Sequence, residues 1–92
     1  MGNPNKGEIK KFIIEHLRDG FKGNDIDTDF IEDDFDLMKM GIIDSIGFIR
    51  LIGAIEDRFN IEVDFEEMEA EELTVIGSLA KFIAENARTR GL

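Results

Sequence analysis

The chain has 92 residues, 42% of them hydrophobic, and 21 Asp plus Glu against 11 Lys plus Arg give a net charge of −10 and a pI near 4.4. Such acidity disfavours nucleic acids and anionic lipids as partners and favours basic proteins, while the hydrophobic content excludes intrinsic disorder. The length fits one small domain, and without cysteine neither a disulfide nor a thiolate metal site can supplement its modest core.

No apolar run reaches the roughly 18 residues of a membrane span, and Met1 to Lys6 lacks the apolar stretch of a signal peptide, so a soluble cytoplasmic protein is expected. Asn5, with Glu8 three residues later, has the spacing of a capping box. Ile9, Phe12, Ile13, His16 and Leu17 then recur on one helical face, which predicts helix I over about 5–19, stopped by Asp19-Gly20 and Gly23. His16 is expected to be a partly buried structural side chain.

Residues 20–43 lose that periodicity and read as a long loop. Its phenylalanines are expected to pin it across the bundle, and residues 36–40 to form a helical turn. Asp25-Ile26-Asp27-Thr28-Asp29 begins like a calcium loop, but Phe30 stands where an EF-hand needs glycine and Asp36 where it needs glutamate. No metal is expected there.

Residues 45–60 form the strongest helical pattern, helix II. Winding at about 100° per residue places Phe48, Leu51, Ile52, Ile55 and Phe59 in one core-facing sector. Ser45, Ile49, Gly53 and Glu56 fall together outside it, with Ile46 beside them, and two isoleucines next to a helix-start serine suggest a docking surface. Ile61-Glu62-Val63-Asp64-Phe65 alternates like a strand but has no evident partner, so it is expected to be an extended connection. A short helix III over about 66–72 follows, then helix IV over about 75–88 with Thr74 as its cap. Arg88 and Arg90 suit the negative pole of that helix, and residues 89–92 are expected to fray.

The pattern lacks a catalytic constellation. His16, the one histidine, belongs to the helix I stripe, so Ser45 has no partner for a triad. Gly41-x-x-x-Ser45 is not a nucleophile elbow, since Ile43 stands two residues before the serine. The chain is therefore not expected to be an enzyme. Asp44 and Ser45 are both competent caps for helix II. A phosphate carried at Ser45 would lie near unpaired N–H groups and the positive end of the helix dipole.

Gly41-Ile42-Ile43-Asp44-Ser45-Ile46, the apolar helix ending Ile55-Glu56-Asp57-Arg58-Phe59, Ile61-x-Val63, and the acidic run before Leu73-Thr74-Val75 resemble the acyl carrier protein family over nearly the whole chain. The resemblance implies an all-α, four-helix bundle of acyl-carrier type: three longer helices, one short one and a long first loop. It implies that Ser45 carries a covalent 4′-phosphopantetheine, added from coenzyme A by a magnesium-dependent phosphopantetheinyl transferase. The arm's thiol would hold acyl groups as thioesters, which suits a carrier with no cysteine of its own. Asp44, Ile46, Ile49, Glu56 and Asp57 correspond to the family's docking surface for acyl-loading and acyl-processing enzymes with basic patches, on a monomeric carrier. Gly47, Arg50 and Gly53 depart from the carriers of general fatty acid synthesis. They point to a specialised carrier in fatty acid, lipid or polyketide-type synthesis. An aminoacyl, peptidyl or D-alanyl carrier is one alternative, and a helical interaction module without a prosthetic group is another.

Overall fold

The computed structural model describes residues 4–64 and 73–90. Helix α1 (Lys6–His16) is capped by Asn5, whose Oδ1 accepts the Glu8 N–H at 2.8 Å. The Asn5 side-chain amide donates in return to Glu8 Oε1 at 3.0 Å, so the reciprocal bond runs between side chains, where a capping box would use the cap's backbone N–H. Ile9 and Ile13 are fully buried. His16 is exposed, contrary to expectation: it ends α1 and stacks on Phe12 with ring centroids 5.7 Å apart.

The first helical region does not stop at Asp19-Gly20. Leu17 leaves helical geometry for a single residue, and α2 (Arg18–Gly23) resumes beyond it. The Leu17 N–H donates to the Ile13 carbonyl at 3.0 Å and the Phe21 N–H to the Leu17 carbonyl at 3.1 Å, so the ladder crosses the break. The extra turn carries Phe21 into full burial. Burying such a ring contributes about 1.5–3 kcal/mol, more than the roughly 1 kcal/mol that Gly20 costs inside a helix.

The long segment that follows holds a 3-10 turn (Thr28–Phe30) capped by Asp27. Ile31, Leu37 and Ile43 are buried, and Phe35 packs on Phe21 with centroids 5.6 Å apart. Phe30 is 80% exposed and pins nothing, which corrects the expectation for one of the phenylalanines. The turn expected at 36–40 is present, closed by the Met40 N–H on the Asp36 carbonyl at 3.0 Å.

Helix α3 (Ser45–Phe59) buries Leu51 and Ile55 completely, and Phe48, Ile52 and Phe59 pack partly buried against the same core. Asn60 ends it in the left-handed region (φ 55°), a conformation asparagine tolerates. Beyond it, β1 (Ile61–Glu62) pairs antiparallel with β2 (Arg88–Thr89), in the register Ile61 to Thr89 and Glu62 to Arg88. The strand-like alternation therefore has a partner, made of Arg88, expected to end helix IV, and Thr89, expected to fray. Arg88 belongs to that strand, and the Arg90 N–H donates to the Asn60 carbonyl at 3.0 Å, so neither arginine serves a last helical turn. The expected helix over 66–72 lies outside the described residues.

Helix α4 (Ile76–Asn86) buries Ile76, Leu79, Ala80 and Ile83. Val75, not Thr74, occupies its cap position and makes no side-chain cap bond. Its first amides go instead to the long loop: Ile76 N–H to the Phe35 carbonyl and Gly77 N–H to the Asp33 carbonyl, each at 2.8 Å. The Leu37 N–H completes the tie on the Thr74 carbonyl at 2.8 Å. Carbonyls of the loop do what a cap side chain would otherwise do. α1 lies mainly against α4 and to a lesser extent against α3. The architecture is the expected all-α bundle, with a two-stranded ribbon added at one end.

Candidate functional site

The loop reaches α3 through a tight turn. Gly41 adopts φ 77°, which favours glycine, and its N–H donates to the Met38 carbonyl at 3.1 Å. The Leu37 carbonyl then accepts from both Ile42 at 2.9 Å and Ile43 at 3.2 Å. With Ile43 buried, the entry to α3 is fixed.

Asp44 is the cap of α3. Its Oδ1 accepts the Gly47 N–H at 2.7 Å, and its carbonyl accepts the Phe48 N–H at 2.8 Å. Sequence left Asp44 and Ser45 as equal candidates, and the structure assigns the task to Asp44. Ser45 is the first residue of the helix and is exposed. Among the described residues its hydroxyl has no hydrogen-bond partner. The Ser45 and Ile46 N–H groups stand outside the helical ladder at the positive end of the dipole. A phosphodiester on the Ser45 oxygen fits this position: it stays in solvent, displaces no bond and has the dipole beside it.

Gly47 supports the cap in a way sequence reading missed. A Cβ there would lie 3.2 Å from Asp44 Oδ1 and 3.3 Å from Ile43 Cβ, so glycine lets the carboxylate close on the backbone. The signal was available only as a glycine in the first turn of a strong helix.

The structure splits the other predicted residues into two groups. Asp44, Ile46 and Ile49 surround Ser45, with the isoleucines 62% and 69% exposed. Glu56 and Asp57 sit about 16–18 Å further along the axis. Glu56 is half-buried and its Oε2 accepts the Val63 N–H at 3.2 Å. Asp57 pairs with Arg90 at 2.9 Å.

The part of the loop that precedes the site, residues 31–40, forms a strap anchored electrostatically. Asp33 takes Lys10 and Lys6 at 2.7 Å each, and these two ammonium donors hold its carboxyl down at about 2. Burial pushes the Asp36 carboxyl up, but the Lys39 N–H, the Thr74 hydroxyl and the Met38 N–H outweigh it and leave Asp36 below the ordinary value. Among the described residues, no three His, Cys, Asp or Glu side chains are grouped to hold a metal ion, and no helix is long and apolar enough to cross a membrane.

Residues 24–83 match the family described as "Phosphopantetheine attachment site". The acyl carrier protein of Wolinella succinogenes is 30% identical over 79 residues, covering 86% of this chain and 92% of that protein. No solved structure matches significantly. The family match takes in the loop, α3 and most of α4, and the two matches set aside an interaction module without a prosthetic group. By the extent of this likeness the chain belongs to the acyl carrier protein family, whose members are carriers rather than enzymes and bear a covalently attached 4′-phosphopantetheine.

Proposed function

We propose that Ser45 is the attachment residue and that the chain is a monomeric, cytoplasmic carrier dedicated to a specialised acyl pathway. One observation carries the reading: the exposed Ser45 hydroxyl is released from capping by Asp44 at the start of α3. When bound, the arm supplies the thiol that this cysteine-free polypeptide lacks. The chain's own residues present and surround it. Asp44 fixes the first turn, so the Ser45 oxygen projects from a rigid end. Ile46 and Ile49 offer apolar contact to the transferase and to acyl-loading and acyl-processing enzymes. Asp57 serves basic groups on those enzymes, because an ion pair as exposed as Asp57 with Arg90 holds it only weakly. Glu56 contributes less to docking, being engaged by the Val63 N–H.

The cargo is read as an acyl chain of fatty acid, lipid or polyketide type. Coexpression with a phosphopantetheinyl transferase and intact-mass measurement tests the attachment. The wild type gains one phosphopantetheine and Ser45→Ala gains none. An unmodified wild type, or equal gain by the variant, would refute it. Nuclear magnetic resonance of the fatty-acylated form tests the cargo: shifts at core residues such as Leu51 and Ile55 support it. A core left unmoved by that cargo would favour an aminoacyl, peptidyl or D-alanyl carrier.

A further inference from the structure

α3 turns one face to solvent, away from Leu51 and Ile55. At about 100° per residue, Ile46, Arg50, Gly53 and Asp57 share that face, with Ile49 at its edge. Arg50 is exposed, and among the described residues it forms no ion pair. Its neighbours three and four positions away are Ile46, Gly47, Gly53 and Ala54, so no carboxylate on its own helix can reach it. Asp57, the nearest acid along the face, lies seven residues on, about 10 Å along the axis, and turns to Arg90 at 2.9 Å. A protein with a net charge of −10 thus leaves a cation unneutralised beside two exposed isoleucines.

Gly53 adds an independent feature. Among the described residues nothing lies within 4 Å of the place its Cβ would take, so no close approach among them requires glycine. Glycine in mid-helix costs about 0.5–1 kcal/mol relative to alanine. What it provides is a shallow gap, bare backbone between the turn bearing Arg50 and the turn bearing Asp57.

We infer that this face docks an acyl-loading enzyme that sets a carboxylate against Arg50 and seats an apolar side chain on the backbone at Gly53, one turn beyond Ile49. The inference rests on Ser45 as the attachment residue and adds the chemistry of the partner. Charge complementarity selects that partner. Along the face Arg50 is an unpaired positive charge, and Asp57, seven residues on, is a negative one that its exposed pair with Arg90 holds only weakly. A uniformly basic patch meets Arg50 with like charge and is rejected. A patch with an acid opposite Arg50 and a basic group opposite Asp57 fits, so Arg50 sets specificity by repulsion as well as attraction.

The test uses the full chain bearing its arm, with intact mass confirming the load on every variant. The probe is the purified enzyme of the source organism that acylates this holo-protein, assayed by initial rates against carrier concentration. Arg50→Glu raises KM about tenfold with kcat unchanged, Arg50→Lys stays within about twofold, and Gly53→Leu raises KM to a similar extent as Arg50→Glu. Unchanged or lowered KM for Arg50→Glu overturns the inference, since a wholly basic partner would gain from the reversal. Concentration-dependent self-association that Arg50→Glu abolishes also overturns it, by giving the face to a second copy of the chain. Failure of the underlying reading is distinct: the wild type would carry no arm.

Discussion

Gly77→Ala should destabilise the bundle, although alanine is the better helix former. An added Cβ would lie 2.5 Å from Asp33 Cβ, 2.6 Å from its carbonyl oxygen and 2.9 Å from its Cα. Ordinary contact begins near 3.4 Å, so the strap must retreat by about 1 Å. It is poorly placed to do so. The Asp33 carboxylate is held by Lys6 and Lys10 at 2.7 Å each, its carbonyl accepts the Gly77 N–H, and Phe35 two residues on accepts the Ile76 N–H. Overpacking typically costs about 1–3 kcal/mol, and losing one backbone hydrogen bond about 0.5–1.5. Alanine's helical advantage returns at most about 1 kcal/mol. The net expectation is a loss of about 1–3 kcal/mol, or roughly 5–20 °C in Tm for a domain of this size. Urea unfolding followed by far-ultraviolet circular dichroism measures it. Gly53→Ala is the control, because its Cβ meets nothing within 4 Å among the described residues, and it should gain about 0.5–1 kcal/mol. If Gly77→Ala matches or exceeds the wild type while the control behaves as expected, the close approach of strap and helix is wrong.

The capping assignment separates two neighbours: Asp44→Ala should lose about 1 kcal/mol in urea unfolding, whereas Ser45→Ala should stay within about 0.5. The α3 faces differ more sharply. Leu51→Ala empties a fully buried position and should cost about 2–5 kcal/mol, while Ile49→Ala, 69% exposed, should barely change the same melt. Acid should weaken the strap. The Asp33 carboxyl is lowered from 3.8 to about 2 in the folded state, so its contribution is complete above about pH 4 and disappears as pH falls through 2. Asp33→Asn should remove that part of the acid dependence in melts taken across this interval, and an unaltered profile would show that the lysines do not hold the carboxylate in solution.

Much of the bundle was legible because its signals are local. Helical periodicity located α1, α3 and α4, and the Asn5–Glu8 spacing marked the first cap. Ser45 stood out as a serine beside a second competent cap, and only the folded first turn of α3 assigns the cap to Asp44. What escaped the sequence depends on distant partners. Thr74 looked like a cap because nothing local says that Phe35 and Asp33 carbonyls arrive at the first amides of α4. Asp19-Gly20 looked like a stop because the gain from burying Phe21 is tertiary. The ribbon was invisible for the same reason, since its strands are two residues each and 27 positions apart. Glu56 and Asp57 read as free acids on a helix surface, and their bonds to Val63 and Arg90 depend on how the chain returns.

The two long-range pairings interleave along the chain. Asp36 bridges to Val75, and Ile61 pairs with Thr89. The first closes a ring that contains α3, the second a ring that contains α4, and each ring holds one end of the other. α4 therefore cannot peel away without freeing the segments on both sides of α3. The helix that begins at Ser45 and the last helix form one cooperative unfolding unit, and their slowest-exchanging amides should report a shared opening free energy. A partner that prises open one of them must open the other.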